Sequence, residues 1–136
     1  LGPITTKDCE KSGLAKLKNV VFVGGKTLEE IPAFLQHSTC LLIPFLCNEL
    51  TASIYPLKIN EYLTSGKPII CTNFSEDIRT FQEVAYIAKN HEEFVEFIQK
   101  SIAEDHVFLQ KKRFETAQQN SWKARAKQFW NIINQN

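Results

Sequence analysis

The sequence predicts an α/β, Rossmann-like fold: a mostly parallel sheet flanked by helices, ending in a purely helical carboxyl terminus. Three observations carry that prediction. From Asn19 onward, short apolar runs alternate with longer amphipathic stretches, the order of β-α-β units. The apolar runs are too short and too uniformly apolar for surface strands, so they read as strands buried on both faces. After about residue 90 the apolar residues recur only at helical spacing.

Taken in order, the strand candidates are Val20 to Val23, Cys40 to Ile43, Ile69 to Thr72 and Val84 to Ala88. Between the first two, Thr27-Leu28-Glu29-Glu30 has the form of a capping box, followed by Ile31, Phe34 and Leu35 on one helical face. Pro32 is tolerated only in a first turn, which places the helix start near Glu30 or Ile31. A long polar loop with Asn48, Glu49, Thr51 and Ser53 ends at Pro56, and Leu57 to Thr64 reads as a short helix stopped by Gly66. Asn90 caps a helix with the apolar stripe Phe94, Phe97, Ile98 and Ile102. A further helix is expected from Val107 to Gln119. Ser121 then caps a last helix carrying Trp122, Ala126, Phe129, Trp130 and Ile133 on one face.

A chain of 136 residues, 43% hydrophobic, can bury one ordinary core, so a single domain spanning 1–136 is expected. Leu1-Gly2-Pro3 opens without methionine, in what reads as the end of a strand, which suggests a piece of a longer protein. The formal charge of +1 calls for no nucleic-acid partner. Cys9, Cys40, Cys47 and Cys71 form no C-x-x-C pair and read as buried reduced thiols in a cytoplasmic protein. His37, His91 and His106 are too dispersed to bind zinc with them, and none stands with a nucleophile. No apolar run reaches the roughly 18 residues of a membrane span, and no secretion signal opens the chain. Lys111, Lys112, Arg113, Lys123, Arg125 and Lys127 make the last third basic. A solvated helical face is expected there, with peripheral contact to an anionic membrane surface as the alternative.

In open α/β sheets, ligands bind beyond the carboxyl ends of the strands, which directs attention to residues 24–27, 44–56 and 73–77. Gly24-Gly25-Lys26 lacks the full spacing of a phosphate loop and reads as a tight strand-to-helix turn. The second loop is more informative. Lys58 falls in the first turn of the predicted helix, where a cation opposes the helix dipole unless an anion such as pyrophosphate binds there. Glu61 shares its face and could accept hydrogen bonds from both hydroxyls of a ribose. The residues alone leave open a second reading, an exposed i,i+3 ion pair worth about 0.2–0.5 kcal/mol.

The run Ile43-Pro44-Phe45, Tyr55-Pro56-Leu57-Lys58, Glu61-Tyr62-Leu63 and Ser65-Gly66-Lys67-Pro68-Ile69-Ile70 with Thr72 resembles the carboxyl-terminal signature of bacterial glycosyltransferases of the two-domain GT-B type, group 1 or family 4-like. Asn19 to Gly24 resembles the preceding strand and loop of that family, and Asn120-Ser121-Trp122 with Arg125 its closing helix. The resemblance implies a domain that binds a nucleoside-diphosphate sugar as substrate for transfer to a polysaccharide, lipid-linked or other glycan acceptor. No metal or other cofactor is required. It further implies that Lys58 contacts the donor phosphates and Glu61 the ribose, that Gly24, Gly25 and Lys26 lie near the base, and that Thr51 and Leu57 line the donor pocket. No residue is assigned a catalytic role. The E-x7-E pattern of many retaining members, whose first glutamate addresses the donor sugar, is broken, because Ser53 stands eight places before Glu61 where that glutamate would be; Glu49 is the nearest replacement. An amino-terminal acceptor domain is expected outside this chain, which alone would be catalytically incomplete, and self-association through the apolar closing helix is expected in its absence. The alternatives are a sugar-nucleotide epimerase of the same fold and a non-catalytic interaction module.

Overall fold

Among the described residues, three parallel strands build the sheet: β1 (Leu41–Ile43), β2 (Ile69–Thr72) and β3 (Tyr86–Ala88), in the spatial order β1-β2-β3. Leu41 pairs with Ile69 and Ile43 with Cys71, while Ile70 pairs with Tyr86 and Thr72 with Ala88. The α/β class and the parallel sheet agree with the sequence-based expectation. This computed structural model describes residue 2 and residues 11–134, which fall into two compact units divided between Phe34 and Leu35.

In the first unit a short 3-10 turn spans Leu14–Lys16, and Val20 to Val23 form no strand, contrary to expectation. Val21 is 78% exposed, and among the described residues this segment has no ladder partner, without which an extended segment gains nothing over coil. The Thr27 signal is half realised: its N–H donates to Glu30 Oε2 at 2.9 Å, and α1 (Ile31–His37) follows with Pro32 in its first turn. Hydrogen bonds from the Thr27 backbone hold the Glu30 carboxyl below its usual range.

The second unit holds the sheet and its helices. Ile43, Ile69, Ile70 and Cys71 are buried, as uniform strand apolarity requires. Residues 48–52, read as loop, instead form a short helix α2 (Glu49–Ala52) capped by Asn48. The next helix, α3 (Leu57–Leu63), inserts Ile59 and Leu63 into the core, each contributing about 1.5–3 kcal/mol. It ends where expected. Gly66 has φ 70°, a left-handed conformation that a Cβ would strain, and so turns the chain toward β2.

After β2, Ser75 caps α4 (Glu76–Arg79), its hydroxyl accepting from the Ile78 N–H at 3.3 Å. The expected fourth strand is shorter than predicted, since Val84 and Ala85 donate to Phe81 O in a turn before β3. Asn90 caps α5 (His91–Ala103), accepting from the Glu93 N–H at 2.8 Å, and α5 packs on β2 and β3. Ser101 is the buried residue of that helix, whereas Ile102 faces out.

Two helices complete the chain, α6 (Val107–Gln119) and α7 (Trp122–Ile133), the latter capped by Ser121. The basic run on α6 is not uniformly solvated. Val107, Phe108 and Phe114 are exposed while Arg113 is 2% exposed, its Nη1 donating to Gly66 O at 3.0 Å and Asp105 Oδ1 at 2.5 Å, and its Nε to Val84 O at 3.3 Å. A buried guanidinium is tolerable only where acceptors such as these three meet it. No residue of α7 is buried, and Trp122 and Trp130 lie largely in solvent. The cysteines also divide: Cys71 is buried, Cys40 half-buried and Cys47 exposed, all as free thiols, and Cys9 lies outside the described residues. No helix of the described residues is long and apolar enough to cross a membrane.

Candidate functional site

A cleft of about 290 Å3 opens at the carboxyl end of β1, between Ile43, Phe45 and the start of α3. Its far wall is Tyr55, Leu57, Lys58 and Glu61. The helix orients this wall. Ile59 and Leu63, four apart, face the core and fix the rotation of α3, which leaves Leu57, Lys58 and Glu61 together on the opposite, exposed face.

The approach to the cleft is braced from both sides. Thr72 Oγ1 at the end of β2 donates to Phe45 O at 2.6 Å, and the Phe45 ring lies 4.8 Å from that of buried Phe74. Asn60 Nδ2 donates to the Tyr55 hydroxyl at 3.3 Å, tying the loop back to α3. Pro56 has no N–H to offer. The Leu57 N–H donates to Tyr55 O at 2.9 Å and the Ile59 N–H to Pro56 O at 3.1 Å. The first turn therefore spends part of its backbone donors internally.

Among the described residues neither Lys58 nor Glu61 takes part in an ion pair, although three residues separate them on one helix face. The exposed-pair reading of these two residues is thus not what the structure adopts. Their charges are available to a ligand, over walls that are otherwise mostly apolar.

Thr51 does not line this cleft. Its hydroxyl donates to Leu46 O and accepts from the Asn48 N–H at 3.1 Å, while its own N–H donates to Asn48 Oδ1 at 2.9 Å, a reciprocal capping box around α2. Asn48 followed three places later by Thr51 was the available signal for that helix. Glu49 is the first residue of α2 and is exposed, and Ser53 is its C-cap.

Gly24, Gly25 and Lys26 belong to the first unit. Gly24 has φ 69°, which favours glycine, and its carbonyl accepts from the Gly2 N–H at 2.9 Å. The Lys26 ammonium lies 3.6 Å from Glu30 and 5.2 Å from the centre of the Phe34 ring. Within its own unit this lysine already has two partners. Among the described residues no three His, Cys, Asp or Glu side chains gather as a metal site would require.

Comparison with known proteins joins this geometry to a family. The family model described as glycosyl transferases group 1 matches residues 2–104, which include both walls of the cleft. A protein of Bacillus subtilis (strain 168) named as a teichuronic acid biosynthesis glycosyltransferase, TuaH, is 25% identical over 99 residues. That alignment covers 72% of this chain and 25% of the relative, so the chain spans about a quarter of the length of the curated relative it matches. No solved structure matches.

Proposed function

The chain belongs to the glycosyl transferases of group 1, and from that premise we propose that it binds a nucleoside-diphosphate sugar in the cleft of Lys58 and Glu61. The carrying observation is that both side chains, unpaired, stand on one face of α3 at the carboxyl end of a parallel strand, where α/β sheets bind ligands. The diphosphate lies against the Lys58 ammonium, and the Glu61 carboxylate accepts hydrogen bonds from the ribose hydroxyls one turn away. Leu57 and Phe45 supply apolar contact.

Transfer breaks the bond between the sugar's anomeric carbon and the diphosphate oxygen and forms one to an acceptor hydroxyl, which gives up its proton. Negative charge gathers on the leaving diphosphate. A fixed cation there stabilises the transition state more than the ground state, and this is the contribution assigned to Lys58. The acceptor is held by parts of a longer protein, and the isolated chain binds donor without completing transfer. The relative named for teichuronic acid biosynthesis supports a cell-surface polysaccharide as the acceptor class. No metal enters this scheme.

Calorimetric titration with UDP, GDP and their sugars tests the reading. Replacing Lys58 by alanine removes a charge-assisted contact of about 1.5–3 kcal/mol, a roughly tenfold to hundredfold loss of affinity, and Glu61→Ala should cost a similar factor for the nucleotides but not for pyrophosphate. Both residues are exposed, so neither variant should alter folding. Equal binding by native chain and both variants, or no binding of any nucleotide, refutes the assignment.

A further inference from the structure

A second cleft, of about 500 Å3, opens along the outer strand β3, on the other side of the sheet order from the cleft at β1. Asn73 and Lys89 follow the carboxyl ends of β2 and β3. Arg79 comes from α4, Tyr86 from β3, and Phe97 and Lys100 from α5. Three of these residues are cationic, and no carboxylate lines the cleft.

Among the described residues none of those three cations takes part in an ion pair. Arg79 Nε donates to the neutral Asn73 Oδ1 at 2.9 Å, and the Lys100 ammonium sits 5.8 Å from the centre of the Phe97 ring. Lys89 makes no ion pair among the described residues. Two carboxylates flank the cleft without pairing with these cations: Glu93 accepts from the Lys89 backbone N–H at 2.9 Å, and Glu104 from the Tyr86 hydroxyl at 2.7 Å. Lys112 and Arg113, by contrast, meet Glu83 and Asp105 directly. Three cationic side chains without an ion-pair partner among the described residues thus line one concavity of a size that small ligands fill.

The cleft also has flat apolar surface. The Tyr86 and Phe97 rings are half-buried, with centroids 5.6 Å apart, and the side-chain amide of Gln82 joins that of Asn73 at the lining. A ring rich in hydroxyls presents an apolar C–H face to such aromatics and hydroxyls to the amides, while an attached anion meets the cations. The geometry points to a second binding site here, for a small saccharide that carries a carboxylate or phosphate group. This site is independent of Lys58 and of the reading given to the first cleft.

Titration of the 136-residue chain with digalacturonate, glucose 6-phosphate, inorganic phosphate and glucose tests it, at low and at raised salt. One or both charged sugars should bind at least tenfold more tightly than glucose and than inorganic phosphate, and the preferred one identifies the charged group. Raised salt should weaken that binding. Arg79→Ala, Lys89→Ala and Lys100→Ala should each weaken it roughly fivefold, and the triple variant should abolish it. Lys111→Ala, outside both clefts, should leave it unchanged. Binding of glucose or of phosphate alone as tight as that of the charged sugars overturns the proposal, as does undiminished binding by the triple variant or no binding of either charged sugar.

Discussion

Replacing Arg113 by alanine should destabilise the chain far more than its place in a Lys-Lys-Arg run suggests. The guanidinium is 2% exposed and joins three acceptors from distant segments: Asp105, Gly66 O and Val84 O. Its removal leaves the Asp105 carboxylate, whose side chain is 16% exposed, without its cation and held by the Gln110 amide at 2.8 Å, and it takes a donor from two backbone carbonyls. Breaking a buried pair by removing one partner costs about 3–5 kcal/mol, and with a urea m-value of about 2 kcal/mol/M the unfolding midpoint should fall by roughly 1.5–2.5 M. The adjacent Lys112 is an internal control, because its partner Glu83 lies at 2.9 Å but the two side chains are 40% and 74% exposed. Double-mutant cycles should give a coupling of roughly 2–3 kcal/mol for Arg113 with Asp105 and below about 1 kcal/mol for Lys112 with Glu83. Equal couplings, or a cost of Arg113→Ala below about 1 kcal/mol, would refute the claim that burial decides between these neighbours.

Two further outcomes follow from burial. Desolvation pushes the Cys71 thiol from 9.0 up to about 12, so above pH 9 the folded chain holds a proton that the unfolded chain releases, and stability should fall as pH rises from about 9 toward 12. Tyr86, raised to about 12 by burial and by its bond to Glu104, acts in the same direction above pH 10. Native-state thiol labelling read by peptide mass spectrometry should modify exposed Cys47 readily and Cys71 only on unfolding; early modification of Cys71 would contradict the burial. On α7, Trp130→Ser should shift stability by less than about 0.5 kcal/mol, since Trp130 is 64% exposed. If that face drives self-association, the same substitution should lower the mass measured by light scattering at high concentration, and a monomeric mass for the native chain argues against it.

The sequence was most legible where a local rule and burial agree. Ile69 to Thr72 is a strand because the three apolar residues before Thr72 suit the centre of a parallel sheet, and Val107 to Gln119 and the Ser121 cap lie where periodicity and capping place them. Val20 to Val23 misled because the same apolar pattern, with no ladder partner among the described residues, makes no strand. Arg113 was hidden by its chemistry: it stands four residues after half-buried Leu109 and four before buried Ala117, so the inward stripe of α6 runs through it. A reading that counts only apolar residues skips an arginine and promotes exposed Phe108 and Phe114 instead. The pairing or independence of Lys58 and Glu61 was also beyond pattern, since spacing permits an ion pair and only side-chain placement decides it.

The first cleft separates what holds the fold from what meets a ligand. On α3 the inward residues Ile59 and Leu63 are fully buried, and Gly66, just beyond the helix, is fastened to α6 through Arg113. Lys58 and Glu61 face outward and carry none of that packing. Their charges can therefore be exchanged with little effect on stability, whereas Thr51, in the same loop, cannot be treated alike. Its hydroxyl bonds to Leu46 O and to the Asn48 N–H, so its loss would deform the loop that α2 caps. A weakened ligand affinity after replacing Thr51 would then report on the shape of the approach to the cleft, and only the outward face of α3 reports directly on the ligand.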